Sequence, residues 1–370
     1  MSDSTPTLLV RGAATVYRLF DVGYEIDLVM ALDLLSSSAP DRVRPVRGEA
    51  QALEIPNPPI TVLLGPEAID VGGHRLDTEI SARIYEFGVC SLRARVHTPD
   101  DMTWEAFAAL GAAIASSPAF TVALEHAVRR LVDRINPSIS GQQIAPVAEE
   151  YVVYRIRRLT DAAGTPLGPD AIASLDVVPL LLGETRPLSE QARKELLPHR
   201  FSYYADDLAI LTWDNALVVE PGPDDTDIEY VLEFANAQLL ELRYYDAELD
   251  LELPLVFDRV AEMRGRSIYP RRYAPLLAEL QQKVADVTEL VERAENSLKV
   301  TDDVYLARIY ASALDIFRAR AWRSGIDRKL AILRDTYEML NAQSQAARGE
   351  ALEVAVVVLI LVEIVLGLMH

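Results

Sequence analysis

The sequence contains one cysteine, Cys90, in 370 residues, so no disulfide can form within the chain. This composition is typical of proteins from a reducing cytosol, where a lone thiol usually serves as a small buried apolar side chain. Residues 1–7 also lack the basic region and apolar run of a secretory signal, and we therefore expect no cleaved leader.

Short catalytic and nucleotide-binding motifs are also missing. There is no GxxxxGK(S/T) loop, no GxGxxG turn and no GxSxG elbow, and the five histidines are scattered without metal-ligand spacing. Three aspartate pairs, Asp206–Asp207, Asp224–Asp225 and Asp302–Asp303, lie at predicted turns or helix starts, where aspartate is favoured for local reasons. We expect no catalytic, cofactor-binding or metal-binding residues. The alternative is an enzyme whose site in the N-terminal region has no recognisable motif.

Positive charge is scarce. Lysine and arginine number 36 against 56 aspartates and glutamates, which gives a net charge of −20 at pH 7. Because such a chain repels phosphate groups, we expect no nucleic-acid partner. The same charge disfavours contact between the bulk of the chain and an anionic lipid surface.

Residues 1–220 predict an α+β domain with a mainly antiparallel sheet, either as one unit or as two β-rich halves. Segments rich in β-branched and aromatic residues predict strands at 7–10, 15–20, 60–64, 81–96, 151–157 and 177–182. Gly72–Gly73 and Asp214–Asn215 are typical of hairpin turns. Helices are predicted from a cap near Thr98, over Pro118–Ile135, and after a cap at Ser189.

Residues 226–348 predict long helices that form an antiparallel hairpin or coiled coil. Apolar residues spaced by three and four form stripes at Leu232–Leu249, Tyr273–Leu298 and Ile326–Leu340. Asp246 is the polar member of the first stripe, and Pro254 is expected to kink or end the first helix.

Several polar residues interrupt the packing pattern of the first long helix. They are Glu233, Asn236, Gln238, Arg243 and Asp246. Two interpretations remain open: a buried polar network that fixes helix register, or a contact surface for a partner.

The most apolar stretch is the tail, residues 351–370, in which Val354–Met369 contains one charged residue, Glu363. An α-helix of about 20 residues spans the roughly 30 Å hydrocarbon core of a bilayer. We therefore predict one transmembrane helix at 351–369. The alternative is a buried core helix in a soluble helical oligomer.

The flanks of the tail predict its orientation. Basic residues precede it at Arg328, Lys329, Arg334 and Arg348, and none follows it. The bulk of the chain is then expected on the cytoplasmic side of the plasma (inner) membrane. A charged Glu363 inside the bilayer costs about 2.5–3.5 kcal/mol, and a hydrogen bond to another anchor lowers that cost. We thus expect a homo-oligomer or a protein partner at the membrane.

Three segments, Glu229–Asp250, Asp327–Leu340 and Leu352–Val365, carry a resemblance to a known family. Together with the strand segment Ile84–Gly88 they are similar to the required-for-meiotic-nuclear-division (RMND) family of bacteria and mitochondria. The resemblance covers roughly residues 80–370. It implies an α+β region, long helices and a C-terminal membrane segment with a glutamate, and it carries over no catalytic residues. The sequence thus predicts a non-catalytic, single-pass membrane protein anchored at its C-terminus.

Overall fold

The computed structural model describes residues 7–38, 43–45, 53–54, 57–100, 102–167, 172, 175–184, 186–221, 227–264, 277–278, 280–282, 284–285, 287–288, 299–300 and 303–368. The chain forms two compact units. The first contains residues 1–241 and 293–319, and the second contains residues 242–292 and 320–370.

The strands are β1 (Leu8–Asp21), β2 (Glu25–Ile26), β3 (Val43–Pro45), β4 (Leu53–Glu54), β5 (Ile60–Val71), β6 (His74–Ile84), β7 (Val89–His97), β8 (Met102–Thr103), β9 (Ile139–Ser140), β10 (Ala148–Asp161), β11 (Arg200–Phe201), β12 (Leu208–Leu211), β13 (Asn215–Val219) and β14 (Lys299–Val300). The helices are α1 (Leu28–Ser38), α2 (Trp104–Ala115), α3 (Pro118–Ile135), α4 (Val178–Leu182), α5 (Glu190–Leu196), α6 (Asp227–Arg264), α7 (Val304–Ile316) and α8 (Ala319–Leu368).

The first unit is built on one large mixed sheet in the order β11-β12-β13-β10-β1-β7-β6-β5-β3, with β8 paired to β1. Neighbouring strands of this sheet pair antiparallel, except that β10 and β13 are parallel. The predicted α+β class and the mainly antiparallel pairing are therefore confirmed.

Side chains alternate across the sheet and divide it into an apolar face and a polar face. On the apolar face, Val16, Leu92 and Tyr154 join one hydrophobic core with Phe107 of α2 and Leu131 of α3. The opposite face carries threonine, serine, tyrosine and arginine side chains, and the beginning of α6 packs on it. Along β7 both faces are buried from Val89 to Ala94, although the sequence pattern predicts burial of one face there.

The region around Gly72 and Gly88 contains one confirmed and one wrong prediction. The turn at Gly72–Gly73 is confirmed, with φ of 60° and 84° between the paired residues Val71 and His74. The predicted continuous strand over Ser81–Val96 is wrong, because β6 and β7 are separated by a tight turn. Gly88 has φ of 92°, and a Cβ there would lie 1.8 Å from the Gly23 carbonyl oxygen. Only glycine permits this close approach.

The helix predictions of the first unit have mixed outcomes. Helix α3 is confirmed over Pro118–Ile135, and Ser189 caps α5 by accepting from the Ala192 N–H at 3.2 Å. Helix α2 is capped by Thr103 instead of Thr98. The strand predicted at 177–182 is wrong, since these residues form α4. A short apolar run does not distinguish a buried strand from a buried helix.

In the second unit, the predicted long helices are present as the later part of α6 and as α8. Pro254 lies inside α6 and does not end it, so of the two predicted effects, a kink or an end, the end is wrong. Pro254 is exposed, and water can bond the carbonyl that a proline at this position leaves without an N–H donor. The stripe at Tyr273–Leu298 falls mostly outside the described residues.

Within the described ranges, no helix is by itself long and apolar enough to cross a membrane, whereas α2 and the segment Pro118–Ser138 together meet that criterion across a 57° bend. By this criterion of length and apolar composition, the described part of α8 gives no support to the predicted transmembrane helix at 351–369.

Candidate functional site

Four arginines from three strands share the polar face of the sheet. They are Arg83 on β6, Arg93 and Arg95 on β7, and Arg155 on β10, here called the arginine layer. Strand register places them together, because Arg93 lies opposite Ser81, Arg95 opposite Thr15 and Arg155 opposite Ala13. Arg83, Arg93 and Arg155 are 2%, 5% and 3% exposed. Such burial of permanent charge needs carboxylate partners.

Glu233 of α6 is the first such partner. Its Oε2 accepts from the Nη1 of Arg83, with the two side chains 1% and 3% exposed. The Arg83 guanidinium also lies over the Tyr230 ring, 4.4 Å from the ring centroid, in a cation–π arrangement. Tyr230 and Glu233, which lie within one turn of α6, therefore both contact Arg83.

Glu229, one turn earlier in α6, bridges two strands of the sheet. Its Oε2 accepts from the Tyr17 hydroxyl at 3.0 Å and from Arg95 Nη2 at 3.2 Å. Burial, followed by the charges of Glu229 and Glu233, raises the pKa of Tyr17 well above its usual value. Tyr17 thus stays a neutral donor to Glu229 at physiological pH.

Arg155 is the least satisfied member of the layer. Its Nε lies 3.6 Å from Oε1 of Glu229, and its three guanidinium nitrogens make no hydrogen bond in the described structure. Burial raises the pKa of nearby Glu220, while the charge of Arg155 acts in the opposite direction. Burial, followed by the charge of Asp303, raises the pKa of Asp227 at the start of α6. The carboxylates of Glu229 and Glu220 therefore lie near a guanidinium that cannot lose its proton.

The residues predicted from the sequence as a polar network are distributed over separate contacts. Glu233 joins the arginine layer, Asn236 donates to its own helix at the Leu232 carbonyl (2.9 Å), and Gln238 accepts from the Tyr310 hydroxyl. In the second unit, the Arg243 guanidinium lies 5.7 Å from the Trp322 ring, and Asp246 accepts from Lys329 Nζ at 2.7 Å. All of these contacts lie within the chain, and both interpretations, a register network and a contact surface for a partner, stay predictions.

Sequence reasoning missed Glu229 and the arginine layer. One signal was available: Arg93 and Arg95 are two residues apart in a strand, and Glu229 and Glu233 are four apart in a helix. Same-face arginines in a strand and same-face glutamates in a helix form complementary surfaces. The pairing of one with the other depends on the topology, which the sequence pattern alone did not provide.

The tail is the second candidate site. Its large apolar side chains from Leu352 to Leu366 are all exposed, from 49% at Val362 to 67% at Leu352. Glu363 is exposed among them. Contiguous apolar surface of this kind marks a site of contact with a membrane or with protein.

Other reactive groups give no further site. The Cys90 thiol is fully buried, and burial followed by the charge of Asp21 raises its pKa to about 12. In the part of the chain that the structure describes, no three histidine, cysteine, aspartate or glutamate side chains converge as metal ligands.

Comparison with known proteins identifies one family. Residues 11–226 match the model described as "Uncharacterized protein MJ0711, N-terminal domain". The uncharacterized protein MJ0711 of Methanocaldococcus jannaschii is 26% identical over 223 residues, which are 60% of this chain and 66% of that protein. The match thus spans slightly less than two thirds of the relative's length.

No solved structure matches the chain. Neither comparison supports the resemblance to the RMND family. The family match contains the arginine layer and ends before α6, which supplies Glu229 and Glu233. Because the match covers more than half of the chain, this protein belongs to the MJ0711 N-terminal domain family.

Proposed function

We propose that this protein is a non-catalytic, single-pass membrane protein whose tail anchors it in the bilayer and whose remaining chain assembles with itself or with a protein partner there. The observation that carries the proposal is the exposed apolar run of α8 from Leu352 to Leu366. Apolar side chains on every side of a helix need a continuous apolar surrounding. Lipid supplies such a surrounding without any matching protein surface.

The energetics of insertion favour the proposal. Valine, leucine and isoleucine contribute about −0.3 to −0.6 kcal/mol each at the centre of a membrane helix, against about 2.5–3.5 kcal/mol for one charged carboxylate. Twelve valine, leucine and isoleucine residues lie between Leu352 and Leu366 in the same unbroken helix as Glu363, so the sum remains favourable. The basic residues before the tail favour a cytoplasmic bulk at the plasma (inner) membrane.

The arginine layer supports a structural role for the first unit. The carboxylates of Glu229 and Glu233 pair with arginines of this layer, and Glu229 also accepts from Tyr17. These contacts explain the burial of both carboxylates without a substrate cleft. Buried ion pairs of this kind can specify one orientation of a helix on a sheet. The resemblance to the RMND family adds the same order of an α+β region, long helices and a membrane segment.

The test is extraction of cell membranes with alkaline carbonate. The full chain is compared with a version that ends at Gly349, and a version with scrambled residues 351–370 of equal composition controls for hydrophobicity. We expect the full chain and the scrambled control in the pellet and the truncated chain in the supernatant.

Protease added to right-side-out and inverted vesicles then tests orientation. We expect digestion of the bulk of the chain in inverted vesicles alone. If the full chain and the truncated chain are both released by carbonate, the anchor is refuted, and the tail is a protein-packing helix. If right-side-out vesicles expose the bulk, the proposed orientation is refuted.

A further inference from the structure

Arg155 has hydrogen-bond donors that no described protein atom accepts from. The residue is 3% exposed, and its Nε, Nη1 and Nη2 have no hydrogen-bond partner among the described residues. Oε1 of Glu229 lies 3.6 Å from Nε, beyond the usual distance of a hydrogen bond. A guanidinium cannot lose its proton, and its burial without hydrogen bonds is strongly unfavourable. We therefore expect an acceptor beside it.

Two other buried polar atoms without a hydrogen-bond partner in the described structure belong to the same part of the first unit. They are Oε2 of Glu220 and the hydroxyl oxygen of Tyr305. The Glu220 N–H donates to the Ile156 carbonyl at 2.9 Å, so the pairing of β13 with β10 continues beyond the end of β13. Val218 lies opposite Arg155, and Glu220, two residues further on, points to the same face.

Electrostatic effects show that these three side chains are near one another. Burial raises the pKa of Glu220, and the charge of Arg155 is the next contribution and lowers it. Burial, followed by the charges of Asp207 and Glu220, raises the pKa of Tyr305. Glu220 is therefore within electrostatic range of both other residues. Together the three side chains offer N–H donors, a carboxylate acceptor and a hydroxyl that can donate and accept.

The charges around Arg155 determine which kind of ligand fits. The carboxylates of Glu220, Glu229 and Asp227 disfavour an anion, and the guanidinium disfavours a metal cation. A neutral molecule that accepts from Arg155 and donates to a carboxylate is repelled by neither charge. Water is the smallest molecule of this class, and it bridges buried polar groups that do not bond each other directly.

We propose that ordered water molecules bind inside the first unit and bridge the Arg155 guanidinium to Glu220 and Tyr305. A buried water molecule typically makes about three hydrogen bonds to groups that protein atoms leave unsatisfied, and these residues supply such partners. The arginine layer then has two kinds of contact, a direct one between Arg83 and Glu233 and a water-mediated one at Arg155. The inference does not depend on the proposed function, because it concerns the first unit and not the tail.

The first experiment is a crystal structure of the full chain in detergent, at a resolution that shows ordered water. We expect a water oxygen within about 3.2 Å of an Arg155 guanidinium nitrogen and of Glu220 Oε2 or the Tyr305 hydroxyl. Direct hydrogen bonds from the guanidinium to protein oxygens without water, or water that contacts Arg155 alone, overturn the inference. Crystals grown with bromide in place of chloride test the charged alternative. An anomalous peak beside Arg155 identifies an anion and also overturns the inference.

The second experiment counts long-lived water molecules in solution by oxygen-17 magnetic relaxation dispersion of the full chain. We expect the double variant Arg155→Met with Glu220→Leu to lose about one or two of them. Tyr154→Phe is the matched control, since its buried hydroxyl already donates to the Gly111 carbonyl at 3.2 Å, and we expect no loss there. An unchanged count in a folded double variant overturns the inference. If the double variant does not fold, the crystal structure of the unaltered chain decides.

Discussion

The ion pair between Arg83 and Glu233 is the member of the arginine layer whose contribution to the free energy of unfolding can be measured directly. The two side chains are 3% and 1% exposed, and the Arg83 guanidinium also contacts the Tyr230 ring. Replacing Glu233 by leucine leaves a buried guanidinium without this carboxylate. Removal of one partner of a buried pair costs about 3–5 kcal/mol. We therefore expect Glu233→Leu to destabilise the first unit by that amount.

The double variant Arg83→Met with Glu233→Leu removes both charges and keeps similar volume. Apolar replacement of a whole buried pair ranges from neutral to stabilising by about 1–4 kcal/mol, although the cation–π contact with Tyr230 is lost as well. We expect the double variant to be more stable than Glu233→Leu. This order, in which two substitutions cost less than one, is the signature of a desolvated pair.

The assay is urea unfolding in mild detergent, followed by tryptophan fluorescence in a Trp322→Phe background. The signal then comes from Trp104 and Trp213, which both belong to the first unit. Glu150→Gln is the matched control. It breaks the ion pair with Arg18, whose side chains are 38% and 18% exposed, and we expect a cost below about 1 kcal/mol. A Glu233→Leu variant no less stable than this control would refute the reasoning.

Two further predictions concern single sites. Burial raises the pKa of Glu220, so its carboxyl group binds a proton more tightly in the folded state than in the unfolded state. The stability that the protonated carboxyl group contributes is lost as the pH rises through its folded-state pKa. We expect Glu220→Gln to raise the urea midpoint at pH 7 and to leave it unchanged at a pH below the unfolded pKa; equal gains at both would contradict this account. Gly88→Ala is expected to cost more than about 4 kcal/mol because its Cβ would lie 1.8 Å from the Gly23 carbonyl oxygen, whereas Gly72→Ala, with open space around it, should cost about 1 kcal/mol in the same assay.

Local chemistry made much of the first unit predictable. Helix α3 begins at Pro118 after the capping Ser117 and shows a clear apolar side, so its bounds follow from the sequence. The glycine pair at 72–73 likewise identifies its hairpin. In contrast, the turn between β6 and β7 depends on the Gly23 carbonyl, which lies far along the chain. Long-range contacts of this kind leave no local pattern.

The candidate site was harder to predict than the fold. Glu233 is recognisable as an unusual polar residue in a packing helix, but its partner Arg83 is 150 residues away. The strand that carries Arg93 and Arg95 alternates in a way that is also typical of a solvated face. What buries that face is α6, and the order of strands that places Arg155 and Arg95 on either side of β1 is a property of the sheet topology.

Cys90 makes the interior of the first unit measurable from outside. It is the one cysteine of the chain, it lies on β7, and it is fully buried on the apolar side of the sheet. A thiol-specific reagent can therefore modify it only in molecules whose sheet has opened. The rate of that modification in native buffer, divided by the rate for the unfolded chain, gives the free energy of opening without denaturant. The protein thus carries its own reporter of rare conformations, at the centre of the sheet that supports the arginine layer.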